Sequence, residues 1–150
     1  MTTFLPTFFA FAILTLTSLV AAQTTQTIRY DTNYDTSSNS LSTVACSDGT
    51  NGLLTKGYST FGSLPDFPYI GAAGAVEGWN SASCGTCWRL TYTPSSGTSY
   101  SVVVLAMDHA DDGFNISEEA LNELTGGQAE AAGTVQATVE QVDASECGLA

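Results

Sequence analysis

Four cysteines, one histidine and a few aspartates carry most of the chemistry open to this chain. Cys46, Cys84, Cys87 and Cys147 are even in number. In an exported protein they read as two disulfides, and spacing alone leaves three possible pairings. Cys84-Gly85-Thr86-Cys87 also has the spacing of a redox C-x-x-C. That motif opens a helix in thioredoxin-like proteins. Here Trp88-Arg89-Leu90-Thr91-Tyr92 follows, aromatic and β-branched, which reads as a strand. A four-cysteine zinc site needs two close pairs, and only one is present. No cofactor is expected.

Asp108-His109-Ala110-Asp111-Asp112-Gly113 with Glu119 partly matches a calcium loop, having acids at the first, fifth and twelfth positions and Gly at the sixth. Ala110 lacks a ligand at the third position, Asn115 replaces the usual apolar residue, and a strand rather than a helix precedes the run. No metal is expected. With His109 as the only histidine and no G-x-S-x-G elbow, serine hydrolase and metallohydrolase chemistry both lack parts. A glycosidase needs two carboxylates flanking the scissile bond. Asp108, just beyond a buried strand, and Asp48, in a Gly-rich turn, are the candidates. Trp79, in the loop Gly78-Trp79-Asn80-Ser81, offers a flat apolar face to a pyranose ring or else packs beside a disulfide. Asn115-Ile116-Ser117 is the one N-glycosylation sequon.

The elements that must hold these residues are mostly strands. Thr24–Tyr30 is Thr-rich around Ile28 and reads as a first strand. Leu41–Cys46 reads as a short strand, and Ser47–Gly52 as a turn. Gly62–Gly78, with two prolines and several glycines, reads as an irregular surface connection. Trp88–Thr93 and Tyr100–Met107 read as paired strands joined at Pro94-Ser95-Ser96-Gly97. The run Val102–Leu105 predicts burial on both faces. Ser117 is placed to cap a helix whose first turn holds Glu118 and Glu119, whose inner side holds Ala120, Leu121 and Leu124, and which Gly126-Gly127 ends. Thr134–Val142 alternates Val135, Ala137 and Val139 as a half-buried strand. The sum is a small, mainly β barrel with one or two short helices.

Phe4 to Val20 carries no charge and ends at the small residues of Val20-Ala21-Ala22. This predicts a cleaved signal peptide over residues 1–22 and a single domain over 23–150, secreted and without a membrane span. Three basic against 15 acidic side chains give a net charge of −12 among the 150 residues. Such a charge repels nucleic acid, anionic lipid and polyanionic glycans, and leaves neutral polysaccharide or oligosaccharide as the partner class.

A set of short motifs, in order along nearly the whole mature chain, resembles the cerato-platanin family of small secreted fungal proteins. The motifs are Cys46-Ser47-Asp48-Gly49, Thr60-Phe61-Gly62, Phe67-Pro68-Tyr69-Ile70-Gly71, Trp79-Asn80-Ser81, Cys84-Gly85-Thr86-Cys87-Trp88, Asp108-His109-Ala110, Gly113-Phe114-Asn115-Ile116, and Gln141-Val142 before Cys147. The resemblance implies a six-stranded double-psi β-barrel, like the first domain of expansins and certain endoglucanases, and the pairing Cys46–Cys84 and Cys87–Cys147. It implies binding of chitin (N-acetylglucosamine) oligomers, expansin-like loosening of cellulosic material without hydrolysis, association with the fungal cell wall, and elicitation of plant defence through a plant receptor. Asp108 corresponds to the one enzyme-like acid kept in the family's shallow groove; the second catalytic carboxylate is generally absent. Ser59 stands where many members have Pro, and Asp111-Asp112 makes the following loop unusually acidic.

The expected function is therefore non-catalytic glycan binding. Asp108, Asp48 and Asn80 would supply hydrogen bonds and Trp79 or Tyr30 a stacking face, with Asp31, Gly49 and His109 around them. The alternatives are a weak endoglucanase or transglycosylase using Asp108, and a surface-active elicitor acting through an apolar patch.

Overall fold

Strand-forming residues from the two ends of the chain meet. In the computed structural model, which describes residues 23–149, β1 (Thr24–Tyr30) pairs antiparallel with β6 (Thr134–Val142), Thr24 opposite Val139 and Arg29 opposite Thr134. Both strands have the bounds expected from the sequence, β1 from its threonine-rich composition and β6 from its alternation. Val135, Ala137 and Val139 turn inward and are buried, while the residues between them face out or are half-buried. Between β1 and β6 lie β2 (Ile70–Ala73), β3 (Cys87–Tyr92), β4 (Tyr100–His109) and β5 (Phe114–Ile116). The six strands close into a barrel in the order β1-β5-β2-β4-β3-β6. β1 runs parallel to β5, and β2 parallel to β4; every other pairing is antiparallel. This is the six-stranded barrel expected. Closure leaves no strand edge unpaired within the sheet.

One helix is specified sharply. Ser117 caps α1 (Glu118–Thr125), its Oγ accepting from Ala120 N at 3.1 Å and donating to the Pro68 carbonyl at 2.6 Å. Asp35 accepts from the next two free amides, Glu118 N at 2.8 Å and Glu119 N at 3.1 Å. Gly126 ends the helix in the left-handed conformation. Ala120, Leu121 and Leu124 are fully buried, and each leucine contributes roughly 1.5–3 kcal/mol by leaving water. Ser117→Ala would remove the cap and cost about 1 kcal/mol or more. A second, four-residue helix, α2 (Ala129–Ala132), follows.

Two sequence expectations are corrected. Leu41–Cys46 is not a strand: Leu41–Thr43 is a 3-10 turn, and Ser40 makes only a single bridge to Thr60. Ser40 Oγ accepts from Ser42 N, a local bond that competes with sheet pairing. Leu41, Val44 and Cys46 are buried nonetheless. Gly62–Gly78 is not wholly irregular, because it contains β2. All four residues of Ile70-Gly71-Ala72-Ala73 are buried between β4 and β5, so no alternation marks the strand. Elsewhere the differences are small. β4 extends to His109, and its both-faces burial falls at Val104–Met107, beginning two residues later than expected.

The disulfides join Cys46 to Cys84 and Cys87 to Cys147, with Cα separations of 5.3 and 6.0 Å. They close 38 and 60 residues of chain, each worth roughly 4 kcal/mol on the chain-entropy account. The leader expected over residues 1–22 lies outside the described residues. Among the described residues no helix is long and apolar enough to cross a membrane.

Candidate functional site

Alternation along β5 determines what the barrel shows outward. Phe114 and Ile116 are buried, so Asn115 between them faces out. In register, Arg29 of β1 sits beside Asn115, Ala72 of β2 lies on its other side, and Asp108 of β4 is next. The loop between β4 and β5 rises beside this row. Gly113 makes the turn back possible: its φ is +55°, and a Cβ there would meet the Thr27 carbonyl oxygen at 2.1 Å. The result is a surface groove of about 520 Å³ lined by Arg29, Tyr30, His109, Ala110, Asp111, Asp112 and Asn115.

One ion pair, and a second contact that becomes one when His109 is protonated, reach its acidic loop. Arg29 Nη1 meets Asp112 Oδ1 at 3.2 Å, and His109 Nε2 meets Asp111 Oδ1 at 3.4 Å. His109 Nδ1 lies 2.5 Å from the Val76 carbonyl, so that nitrogen is the donor. The Val76 carbonyl first, and then Asp111, raise the imidazole pKa above its ordinary value.

Asp108 is not among the side chains lining the groove. It is half-buried, and both its oxygens are engaged. Oδ1 accepts from Ala45 N at 2.9 Å and His109 N at 2.8 Å, and Oδ2 accepts from the Tyr34 hydroxyl at 3.0 Å. Tyr34 is 6 % exposed. Burial first, and then the Asp108 charge, push its phenol pKa well up. The carboxylate thus ties the loop before Cys46 and the turn after β1 to the end of β4.

A second cluster forms where Cys46–Cys84 brings two loops together. Trp79 Nε1 donates to Asp48 Oδ1 at 2.6 Å, and the indole is 64 % exposed. Its exposure rules out the packed-core alternative. Asn80 takes up a positive φ of 58° and binds Asn51 twice: its Oδ1 accepts from Asn51 N and its carbonyl from Asn51 Nδ2, both at 2.9 Å. Gly49, at φ +83°, lies so close that a Cβ would meet Asn80 Oδ1 at 2.7 Å. Asn80 and Gly49 are therefore the frame behind the Trp79–Asp48 pair.

The remaining candidates divide between these regions. Tyr30 and His109 line the groove. Asp31 caps the turn Thr32–Asp35 through Asn33 N at 2.8 Å. Trp88, half-buried, packs edge-on against Phe114 at 5.6 Å. Sequence reasoning did not single out Tyr34, Arg29, Ala45 or Val76. Only Arg29 carried a signal, as one of three basic residues in the chain. Among the described residues no group of three or more His, Cys, Asp or Glu is arranged to hold a metal ion.

Comparison with known proteins bears on this arrangement. The cerato-platanin family model matches residues 26–149. The heat-stable 19 kDa antigen of Coccidioides immitis is 44% identical over 133 residues, covering 89% of this chain and 88% of its own. The crystal structure of cerato-platanin 1 from M. perniciosa superposes with a TM-score of 0.79 at 45% identity, over 81% of this chain and 98% of that one. The solution structure of the fungal elicitor cerato-platanin superposes with a TM-score of 0.69 at 38% identity, over 81% and 95% of the two chains. Match to the family model, identity along almost the whole described chain and a shared closed barrel all agree: the chain belongs to the cerato-platanin family.

Proposed function

We propose that this chain is a secreted, extracellular protein that binds neutral polysaccharide without cleaving it. Chitin oligomers are its first ligand and cellulose a second, and it acts in the cell wall and as an elicitor of plant defence. The observation that carries the reading is the groove itself. Tyr30 gives it an aromatic face, while Asn115, Arg29 and His109 give it donors. Hydroxyl-rich pyranoses present the complementary apolar faces and polar edges.

Binding is favoured over cleavage by what surrounds the carboxylates. A glycosidase keeps one carboxyl protonated by burying it among apolar groups, across the bond from an ionised partner. Asp111 and Asp112 are instead on an exposed loop beside His109 and Arg29, and both Asp108 oxygens are occupied as acceptors. An apolar docking patch has little support either, since Trp79 is the one large hydrophobic side chain exposed among the described residues.

The test is calorimetry with tetra-N-acetylchitotetraose together with a reducing-end assay on the same mixture. Saturable binding without new reducing ends is expected. Turnover above a heat-killed control, or no binding to chitin or cellulose oligomers, overturns the proposal.

A further inference from the structure

We propose that Asn115 is an N-glycosylation site and that its glycan lies in the groove, so that the glycosylated protein carries its own competitor for ligand. The competition rests on the carbohydrate-binding reading above; the position of the glycan does not. Asn115-Ile116-Ser117 meets the sequence requirement. In the fold Ile116 and Ser117 are both fully buried, Ser117 as the cap of α1. That burial is no obstacle, because transfer takes place on the extended chain before it folds. Nδ2 displaces the diphosphate of a lipid-linked oligosaccharide at C1 of the first sugar. A C–N bond forms as the C–O bond breaks, and one Nδ2 proton leaves.

Whether the modified chain can then fold depends on where Asn115 points. β5 turns it away from the core, it lines the groove, and its side chain makes no hydrogen bond among the described residues. The amide is therefore free to carry a substituent, and the space beside it is the groove of about 520 Å³. Asn115 lies between Arg29 and Ala72 in the barrel wall, with Tyr30 one residue along β1. The first two sugars of an N-glycan are β1,4-linked N-acetylglucosamine, the repeat of chitin. A groove that binds chitin oligomers is thus matched to the root of its own glycan, which a tether holds at millimolar effective concentration.

The experiment compares the full chain secreted from a eukaryotic host with the same chain made in a bacterial periplasm, where Asn115 stays unmodified. Release with peptide-N-glycosidase in heavy-oxygen water should mark Asn115. Hydrogen exchange in the peptide spanning residues 109–116 should be slower in the glycoform. Its affinity for tetra-N-acetylchitotetraose should be weaker by about tenfold or more. An intact mass equal to the bare polypeptide overturns the proposal, as does a glycoform whose exchange and binding match those of the unmodified chain. Slowed exchange with no binding by either form supports the glycan's place in the groove and defeats the carbohydrate-binding reading instead.

Discussion

Trp79 and Asp48, 31 residues apart, are joined by a 2.6 Å hydrogen bond from the indole nitrogen to Oδ1. The bond fixes the edge of an exposed ring while leaving its faces open, the condition a stacking platform needs. Asn80, Asn51 and Gly49 brace both partners from behind. This cluster shares no residue with the groove lining, so under the proposed carbohydrate binding it is a second candidate contact.

Trp79→Ala should therefore lower affinity for chitin oligomers by about 1 kcal/mol, roughly fivefold, while leaving stability within about 0.5 kcal/mol. Asp48→Ala should act in the same direction and less strongly, by freeing the ring to rotate. Acrylamide quenching of tryptophan fluorescence checks the assignment: oligosaccharide should protect the exposed indole, and Trp79→Ala should abolish the protection. Quenching unaffected by ligand would mean the indole is a bystander.

Asp108 should prove to be mainly a strut. Replacing it with Asn puts an amide donor where three donors converge, so Asp108→Asn should destabilise the fold by about 1–3 kcal/mol in urea unfolding. Tyr34→Phe should cost about 1–2 kcal/mol, and the double variant less than the sum of the two. An unchanged unfolding midpoint with lost oligosaccharide binding would instead assign the carboxylate to the ligand.

Stability should fall as pH rises from about 4 to about 7. Asp66, in the turn before β2, has a carboxylate oxygen that is buried without a partner, and burial raises its pKa to about 7. An acid raised on folding favours the native state only while protonated. Its contribution is whole below the unfolded value of 3.8 and gone above about 7. Asp66→Asn should flatten this slope and stabilise the protein at pH 8 by roughly 1–2 kcal/mol, its partial exposure limiting the effect. His109 acts in the same sense at higher pH. Its raised pKa ties loop order to the imidazolium, fully present below the unfolded value of 6.5 and lost as pH rises through the folded one. Hydrogen exchange at residues 109–113 against pH, with His109→Ala as the flat control, reads this directly.

The elements that sequence alone located are those with a local signal. β1 is threonine-rich around Ile28, β6 alternates over nine residues, and α1 has a cap at one end and a glycine at the other. β2 and β5 were invisible because four and three residues cannot show a period, and Gly71, Ala72 and Ala73 are weak strand formers. The site was legible as residue types rather than as contacts. Trp79, Asp48, Asn80 and Gly49 were all singled out, yet nothing local shows that two of them frame the other two. Tyr34 gave no sign at all, since its partner Asp108 lies 74 residues away. The disulfide pairing came through family resemblance; cysteine spacing left it open.

The way the barrel closes also sets the order in which it can be built. β1, the first strand made, has as its sheet neighbours only β5 and β6, from the last third of the described chain. No N-terminal fragment ending before Phe114 contains a partner for it. A chain synthesised from the N-terminus must keep Thr24–Tyr30 unpaired until Phe114–Ile116 has emerged, and its longer pairing waits for Thr134–Val142, so assembly proceeds through contacts more than 80 residues apart. Such topology makes folding slow and nearly all-or-none. Truncation at the C-terminal strand should leave a chain with no barrel rather than a smaller one.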